Sequence, residues 1–381
     1  MTKKEKEEES LFDITEKDPE AIYRLYSVIS FIVILVVVGL PVWWMTTRVY
    51  RAQLPLSEIY EFELKNRTDR AYGLPLSIEY DILITIVNPT PQSLNVDLDG
   101  ELIDINLQPF LNLLGDVIDF TVKTQWLYLT ELGVTPKKVD EYYTLAQEQL
   151  PHVITPLEKK LWSHISQKPS INLVLYIAPC KTPLYILDEN STKLSTNSFL
   201  SPRWGGISIL NPSLESCESG ILEPQLSWII STFTKHLQHL LKLNGNTKSD
   251  IEEFAFVRAM EMIDSTRRTL KSLAQLLLEI NSIVISDDVA DKIKLAVLKA
   301  NEAEEFLRAD NLKLGLDAAK IAFVNSEAAF SDTSLLALLY FPDDQKYAVY
   351  IPLFLPIMIP VVLSIMSLKR WYSSIVKEKV D

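Results

Sequence analysis

With 381 residues, 48% of them apolar, and a formal net charge of −13, the chain is long enough for two or three ordinary domains and a sizeable core. So acidic a surface argues against a nucleic-acid binder, whose contacts run through lysine and arginine against phosphate. Glycine supplies only 10 residues; Walker and dinucleotide-binding glycine patterns are absent, and so is GxSxG.

In chain order, the charged stretch Lys3–Glu9 reads as a solvated, disordered arm. Leu25–Thr47 then runs 23 residues without a charge, bracketed by Arg24 and Arg48, with Trp43–Trp44 at one end. At 1.5 Å per residue it reaches roughly 33 Å, enough to cross a hydrocarbon core of about 30 Å, and its paired indoles suit the headgroup layer. Its long polar lead and the absence of a small-x-small site favour an uncleaved signal anchor over a cleaved signal peptide.

After the anchor, Leu56–Lys65 has helical character. Ile78–Val87, ending at Asn88–Pro89, reads as a strand, as do Leu102–Leu107 and Val122–Leu129. A short helix is expected over Pro109–Asp119, and another from Val139, interrupted by Pro151 and Pro156. Strands return at Ile171–Ala178, Leu184–Leu187 and Ile207–Leu210. Strands alternating with helices suggest one mixed α/β layer structure.

From Glu223 onward the strand signal ends. Ser249-x-x-Glu252 resembles a capping box opening a helix striped by Phe256, Met260, Ile263, Leu270, Leu273, Leu277, Ile280 and Val284. A second helix starts near Ser286–Asp287, with Val289, Ile293, Val297, Ala300 and Leu307 on one face. A third covers Leu312–Leu339, and the short connections predict antiparallel packing. Tyr347–Leu368 is again free of charge, for 22 residues, but carries Pro352, Pro356 and Pro360. Three missing N–H groups on one face predict a kinked or extended first half and a protein partner beside it.

The fold class expected is therefore α+β: a mixed α/β layer domain followed by a helical bundle, with one transmembrane helix near each terminus. The divisions are a tail over 1–24, a transmembrane helix over 25–47, an α/β region over 48–222, a helical region over 223–346, a proline-bearing transmembrane segment over 347–368 and a tail over 369–381. Lys369, Arg370, Lys377 and Lys379 follow the second span closely, whereas Asp343–Asp344 precede it. Positive charge stays cytosolic, so both termini are expected in the cytosol and the central domain in the lumen, with nearly all the net negative charge on it. Asn66 and Asn190 head sequons that glycosylation would use on that side.

Chemistry is harder to find. His236 and His239 are one helical turn apart, but no further ligand spacing completes a metal site. Cys180 with His152 or His164 has the residue types of a thiol hydrolase, without a recognised local signature. Cys180 and Cys217 are compatible with one disulfide, with a buried free thiol or with a bond to another subunit. Ser201-Pro202-Arg203-Trp204-Gly205-Gly206 stands out as either a tight turn covered by the indole or a contact surface for another subunit.

Several blocks resemble one family. They are Gly39-Leu40-Pro41-Val42-Trp43-Trp44 with Tyr50-Arg51-Ala52; Gln149-Leu150-Pro151-His152; Pro183-Leu184-Tyr185-Ile186; Ser201-Pro202-Arg203-Trp204-Gly205-Gly206; and Leu339-Tyr340-Phe341-Pro342-Asp343-Asp344 running into Ile351-Pro352-Leu353-Phe354. In that order they are similar to the PIG-S subunit of the glycosylphosphatidylinositol (GPI) transamidase, although the luminal domain is shorter than is typical of that family. The resemblance implies an endoplasmic reticulum membrane complex in which another, caspase-like subunit carries the catalytic residues, and a scaffold role for this chain. On that reading the chain supplies no catalytic residue, cofactor or metal, its partners are the other transamidase subunits and membrane lipid, and Arg203, Trp204, Gly205, Gly206, Pro352, Pro356 and Pro360 are subunit-contact candidates. An unrelated luminal cargo or quality-control receptor is the alternative, and a thiol or metal hydrolase the third reading.

Overall fold

The computed structural model describes residues 19–47, 50–62, 73–139, 141–161, 166–188, 192–280 and 283–335, with 348, 351–352, 354–356, 358–366 and 369. Helix α1 (Pro19–Ile34) passes through a π-helical turn (Leu35–Gly39) into α2 (Leu40–Thr47), and α3 (Leu56–Glu61) follows. Next come β1 (Glu79–Asn88), β2 (Asn95–Val96), α4 (Gly100–Leu113), β3 (Asp119–Tyr128), β4 (Lys137–Val139), β5 (Tyr142–Leu145) and α5 (Leu150–Glu158). They are followed by β6 (Ser170–Ile177), β7 (Leu184–Ile186), β8 (Ser198–Ser201), β9 (Gly205–Leu210), α6 (Leu214–Ser219) and β10 (Ile221–Leu222). Four helices complete the order: α7 (Leu226–Leu241), α8 (Lys248–Glu279), α9 (Asp287–Arg308) and α10 (Leu312–Phe330).

Backbone contacts divide the chain into two compact units, the larger holding 58–269 and 295–326. Among its described residues a five-stranded sheet runs β3-β1-β6-β9-β8, parallel throughout except for the antiparallel edge strand β8. Parallel strands are covered on both faces, so the interior strand β1 is buried almost end to end, with its apolar stretch Ile82–Val87 broken only by Thr85. Its alternate side chains feed two cores. Ile82, Ile84 and Ile86 join Leu173, Leu175 and the helical side chains Leu107, Phe233, Ile263 and Phe323; Leu83 and Val87 join Val174, Ile207, Leu157 and Trp204. A smaller sheet, β4-β5-β7, adds Leu145, Leu184 and Ile186 to the second core.

Three sequence expectations are corrected here. Leu102–Leu107 is not a strand but the middle of α4, which starts at Gly100 where Asp99 accepts from the Glu101 N–H, and which buries Ile103, Leu107, Phe110 and Leu111 along one face. Ile103–Leu107 alternates in polarity, but the longer stripe has helical spacing, and Pro109 costs it one hydrogen bond without ending it. The helix expected from Val139 is instead the β4–β5 hairpin, with α5 beginning only at Leu150 and Pro151 at its first turn. The cap of α8 is Thr247 rather than Ser249: the Thr247 N–H and hydroxyl reach the Asp250 carboxylate, and the Asp250 N–H returns to the Thr247 hydroxyl.

Packing among α8, α9 and α10 follows the expected stripes in part. Ile263, Ala303, Leu307 and Phe323 share the first core, the Arg267 guanidinium pairs with Glu304 and lies over the Phe62 ring, and Lys320 donates to the Asp116 carbonyl at 2.6 Å. Phe256, at the start of the α8 stripe, is instead exposed.

The smaller unit takes in the described residues of 1–57, 270–294 and 327–381. Leu25–Met45 is long and apolar enough to cross a membrane, and none of it is buried within the protein. The π-helical turn lies just ahead of Pro41. Widening that turn relieves the clash between the proline ring and the carbonyl four residues back. In the same unit Leu273, Leu277, Ile283, Ile285, Val289, Ile293 and Leu335 are buried. Around Pro352, Pro356 and Pro360 the described residues are helical, not extended, and the three prolines are exposed. A proline's fixed φ suits a helix, so each removes one donor without unwinding the turn. The apolar helix there, Phe354–Met366, is shorter than a bilayer crossing. Residues 336–339 of the third expected helix lie outside the described residues.

Candidate functional site

The segment singled out by sequence forms the tight connection between β8 and β9. The Trp204 N–H donates to the Ser201 carbonyl at 3.1 Å, closing the turn. Gly205 has φ +144°, and a Cβ there would sit 1.8 Å from the Asn172 carbonyl oxygen. Only glycine lets β6 and β9 approach so closely. The Trp204 carbonyl accepts from both the Asn172 N–H (3.0 Å) and its side-chain amide (3.2 Å).

On the other face Gly206 meets the imidazole of His236 on α7: a Cβ would come within 2.3 Å of Nδ1. His236 is buried, and burial first, then the neighbouring His239, lowers its pKa to about 4. Trp204, Gly205 and Gly206 are thus buried within the chain, with the indole in the second core, whereas Pro202 and Arg203 are exposed. Of the contact candidates in this turn, the side chain facing outward is Arg203.

Beside the turn lies a groove of about 500 Å³ along the edge strand, lined by Leu150, Ile154, Leu194, Phe199, Leu200 and Pro202 among others, with Asp188 as the one charged side chain among the described lining residues. Neither the groove nor β8 is announced by the sequence. A four-residue Ser-Phe-Leu-Ser strand is too short for periodicity to show, and the pocket joins segments some 50 residues apart.

Residues with chemical potential are placed apart or already engaged. Cys180 and Cys217 are joined in a disulfide, so neither supplies a thiolate nucleophile. His152 is exposed on α5; on α7, His236 is buried and His239 exposed, so the one-turn pair does not converge. Among the described residues no group of three or more His, Cys, Asp or Glu side chains could hold a metal ion. At the carboxyl end of β1, where open α/β sheets often take ligands, the Asn88 amide is engaged within the chain: it donates to the Leu94 carbonyl at 2.9 Å and accepts from the Thr90 N–H at 3.0 Å. His164, Asn66 and Asn190 lie outside the described residues.

Comparison with known proteins supplies what the site does not. The family model described as phosphatidylinositol-glycan biosynthesis class S protein matches residues 30–71 and 63–374. The chain belongs to the PIG-S family. Among curated PIG-S relatives, it is 37% identical over 349 residues to the GPI-anchor transamidase component PIGS of Rattus norvegicus, covering 84% of this chain and 62% of the relative. Against the Homo sapiens protein of the same description the identity is 37%, over 80% of this chain and 60% of the relative. The GPI transamidase component PIG-S homolog of Schizosaccharomyces pombe is 27% identical over 76% of this chain and 53% of its own. The chain therefore spans about three fifths of the length of the mammalian PIG-S relatives it matches. The match takes in the apolar N-terminal helix from residue 30 onward, the Ser201–Gly206 turn and the three C-terminal prolines.

Proposed function

We propose that this chain is a non-catalytic scaffold subunit of a GPI transamidase in the endoplasmic reticulum membrane, supporting attachment of GPI anchors to preprotein C-termini. The observation that carries the reading is the PIG-S match over nearly the whole central region, to relatives described as components of that enzyme. Oxidation of both cysteines to a disulfide fits an oxidising lumen and removes the residue type a thiol hydrolase needs. On this reading the catalytic cysteine and histidine belong to a different, caspase-like subunit.

The topology proposed with it has two crossings, residues 25–47 and 347–368, both termini in the cytosol and the region between them in the lumen, where Asn66 and Asn190 carry glycans. Subunit contacts run through Arg203 at the exposed turn and through the Pro352–Pro356–Pro360 face of the second crossing. Purification of the full-length tagged chain from mild detergent should bring down a thiol-protease-like subunit, and Arg203→Glu should weaken that recovery. Recovery of the chain free of any such subunit would sink the proposal.

A further inference from the structure

The segment leaving the apolar helix is held by the far end of α8 and the start of α9. The Ile285 N–H donates to the Tyr50 carbonyl at 3.1 Å, and the Ala52 N–H returns to the Ile285 carbonyl at 3.0 Å. The Arg51 guanidinium donates to the Leu277 carbonyl, one of the unpaired acceptors at a helix C-terminus, and the Tyr50 hydroxyl donates to Asp287 at 2.7 Å. Tyr50 lies three residues beyond Thr47, where α2 ends. Three residues of chain reach at most about 11 Å. Trp43–Trp44, the indole pair suited to the headgroup layer, sit one turn before that end.

If Leu25–Met45 crosses the bilayer, this short tether fixes the α8–α9 corner at the membrane surface. Two apolar side chains stand out from the corner there: Leu278 is 50% exposed and Val284 38% exposed, although their neighbours Leu277, Ile283 and Ile285 are buried. Charge around it is acidic, with Glu279, Asp287, Asp288 and Asp291; Lys292 is already paired with Asp288 and Asp332, Lys294 with Asp291, and Arg51 is turned to the Leu277 carbonyl. Such a surface has no electrostatic attraction to anionic lipid. Its affinity for a membrane must come from burial of apolar side chains.

We propose that the α8–α9 corner rests on the bilayer and inserts Leu278 and Val284 into the headgroup layer of zwitterionic lipid, making it a lipid contact separate from the spans. This rests on the reading of Leu25–Met45 as a crossing. The test uses the full chain in phosphatidylcholine nanodiscs, with single cysteines introduced as Leu278→Cys or Val284→Cys and coupled to an environment-sensitive fluorophore; the native cysteines are blocked by their disulfide. Val37→Cys in the crossing and Leu214→Cys, on the exposed helix α6, serve as controls. Nitroxide-labelled lipid should quench positions 278 and 284 several-fold more than 214, with little change on raising salt. Quenching at 278 and 284 no greater than at 214, with strong quenching at 37, would overturn the surface contact alone. Weak quenching at 37 would remove the crossing and the surface contact together.

Discussion

His236 is a titratable group held where its charge is unwelcome. It packs under Gly206 with Nδ1 unpartnered by any protein atom, and its pKa falls to about 4 chiefly through burial. In the unfolded chain the imidazole takes its proton near pH 6.5; in the folded chain it does so only near pH 4. The unfolded state therefore binds more protons between those values, and the stability from the neutral ring is fully present above pH 6.5 and is lost as pH falls toward 4. The loss from this residue should be of the order of 2–3 kcal/mol, near 1.4 kcal/mol per pH unit. Burial pushes the Asp81 carboxyl up, but the Lys123 ammonium and Ser166 hydroxyl outweigh it and hold Asp81 below its ordinary range, so it titrates under this window. Thermal denaturation of the wild type and His236→Gln across pH 4 to 7 checks this: the variant should show the shallower slope, and equal slopes would exclude His236 as the cause. In the sequence, His236 and His239 looked alike because spacing gives their separation on the helix and not which of them faces the sheet. The two adjacent glycines were a better guide, since a close approach is what they provide.

At the scale of elements, the disulfide ties the exit of β6 to helix α6, closing a loop with a sequence separation of 37. A loop of that size corresponds to about 3–4 kcal/mol of lost unfolded-state entropy. Replacing both cysteines, Cys180→Ala with Cys217→Ala, should lower the midpoint of thermal unfolding by roughly 10 °C for a domain of this size. A change of only a degree or two would show that the surrounding packing fixes this region without the cross-link. Spacing could not decide this pairing, because contact between residues 180 and 217 depends on the sheet bringing β6 and β9 side by side. The same limit explains which elements were legible. β1, β3 and β6 announce themselves by β-branched and aromatic runs, and α9 by its stripe and its acidic start. The β4–β5 hairpin is not legible locally because β5 is fixed by pairing with β7, some 40 residues on, which no local window contains. Leu102–Leu107 shows the opposite limit: its short apolar-rich window says less than the longer helical period that Asp99 opens.

For the whole molecule the deciding question is which side of the membrane each part occupies. In the topology proposed above, the second apolar segment is followed by Lys369, Arg370, Lys377 and Lys379 and preceded by Asp343–Asp344, a positive flank of the kind retained in the cytosol. Two crossings, as proposed, return the N-terminus to the same side. The flanks of the first segment carry basic residues at both ends, so the proposed orientation depends on the second segment. A proline-bearing segment is a poor autonomous span, yet helical backbone persists around all three prolines, which leaves each with one freed carbonyl to satisfy rather than an unwound stretch. In sealed microsomes, protease should remove epitope tags at both ends and leave the disulfide-linked region between Tyr50 and Leu335 intact until detergent is added. Loss of the C-terminal tag alone, with the N-terminal tag protected, would mean one crossing and a C-terminal segment lying on the cytosolic face. Digestion of the central region in sealed vesicles would reverse the orientation, and with it the oxidising compartment that the Cys180–Cys217 bond calls for.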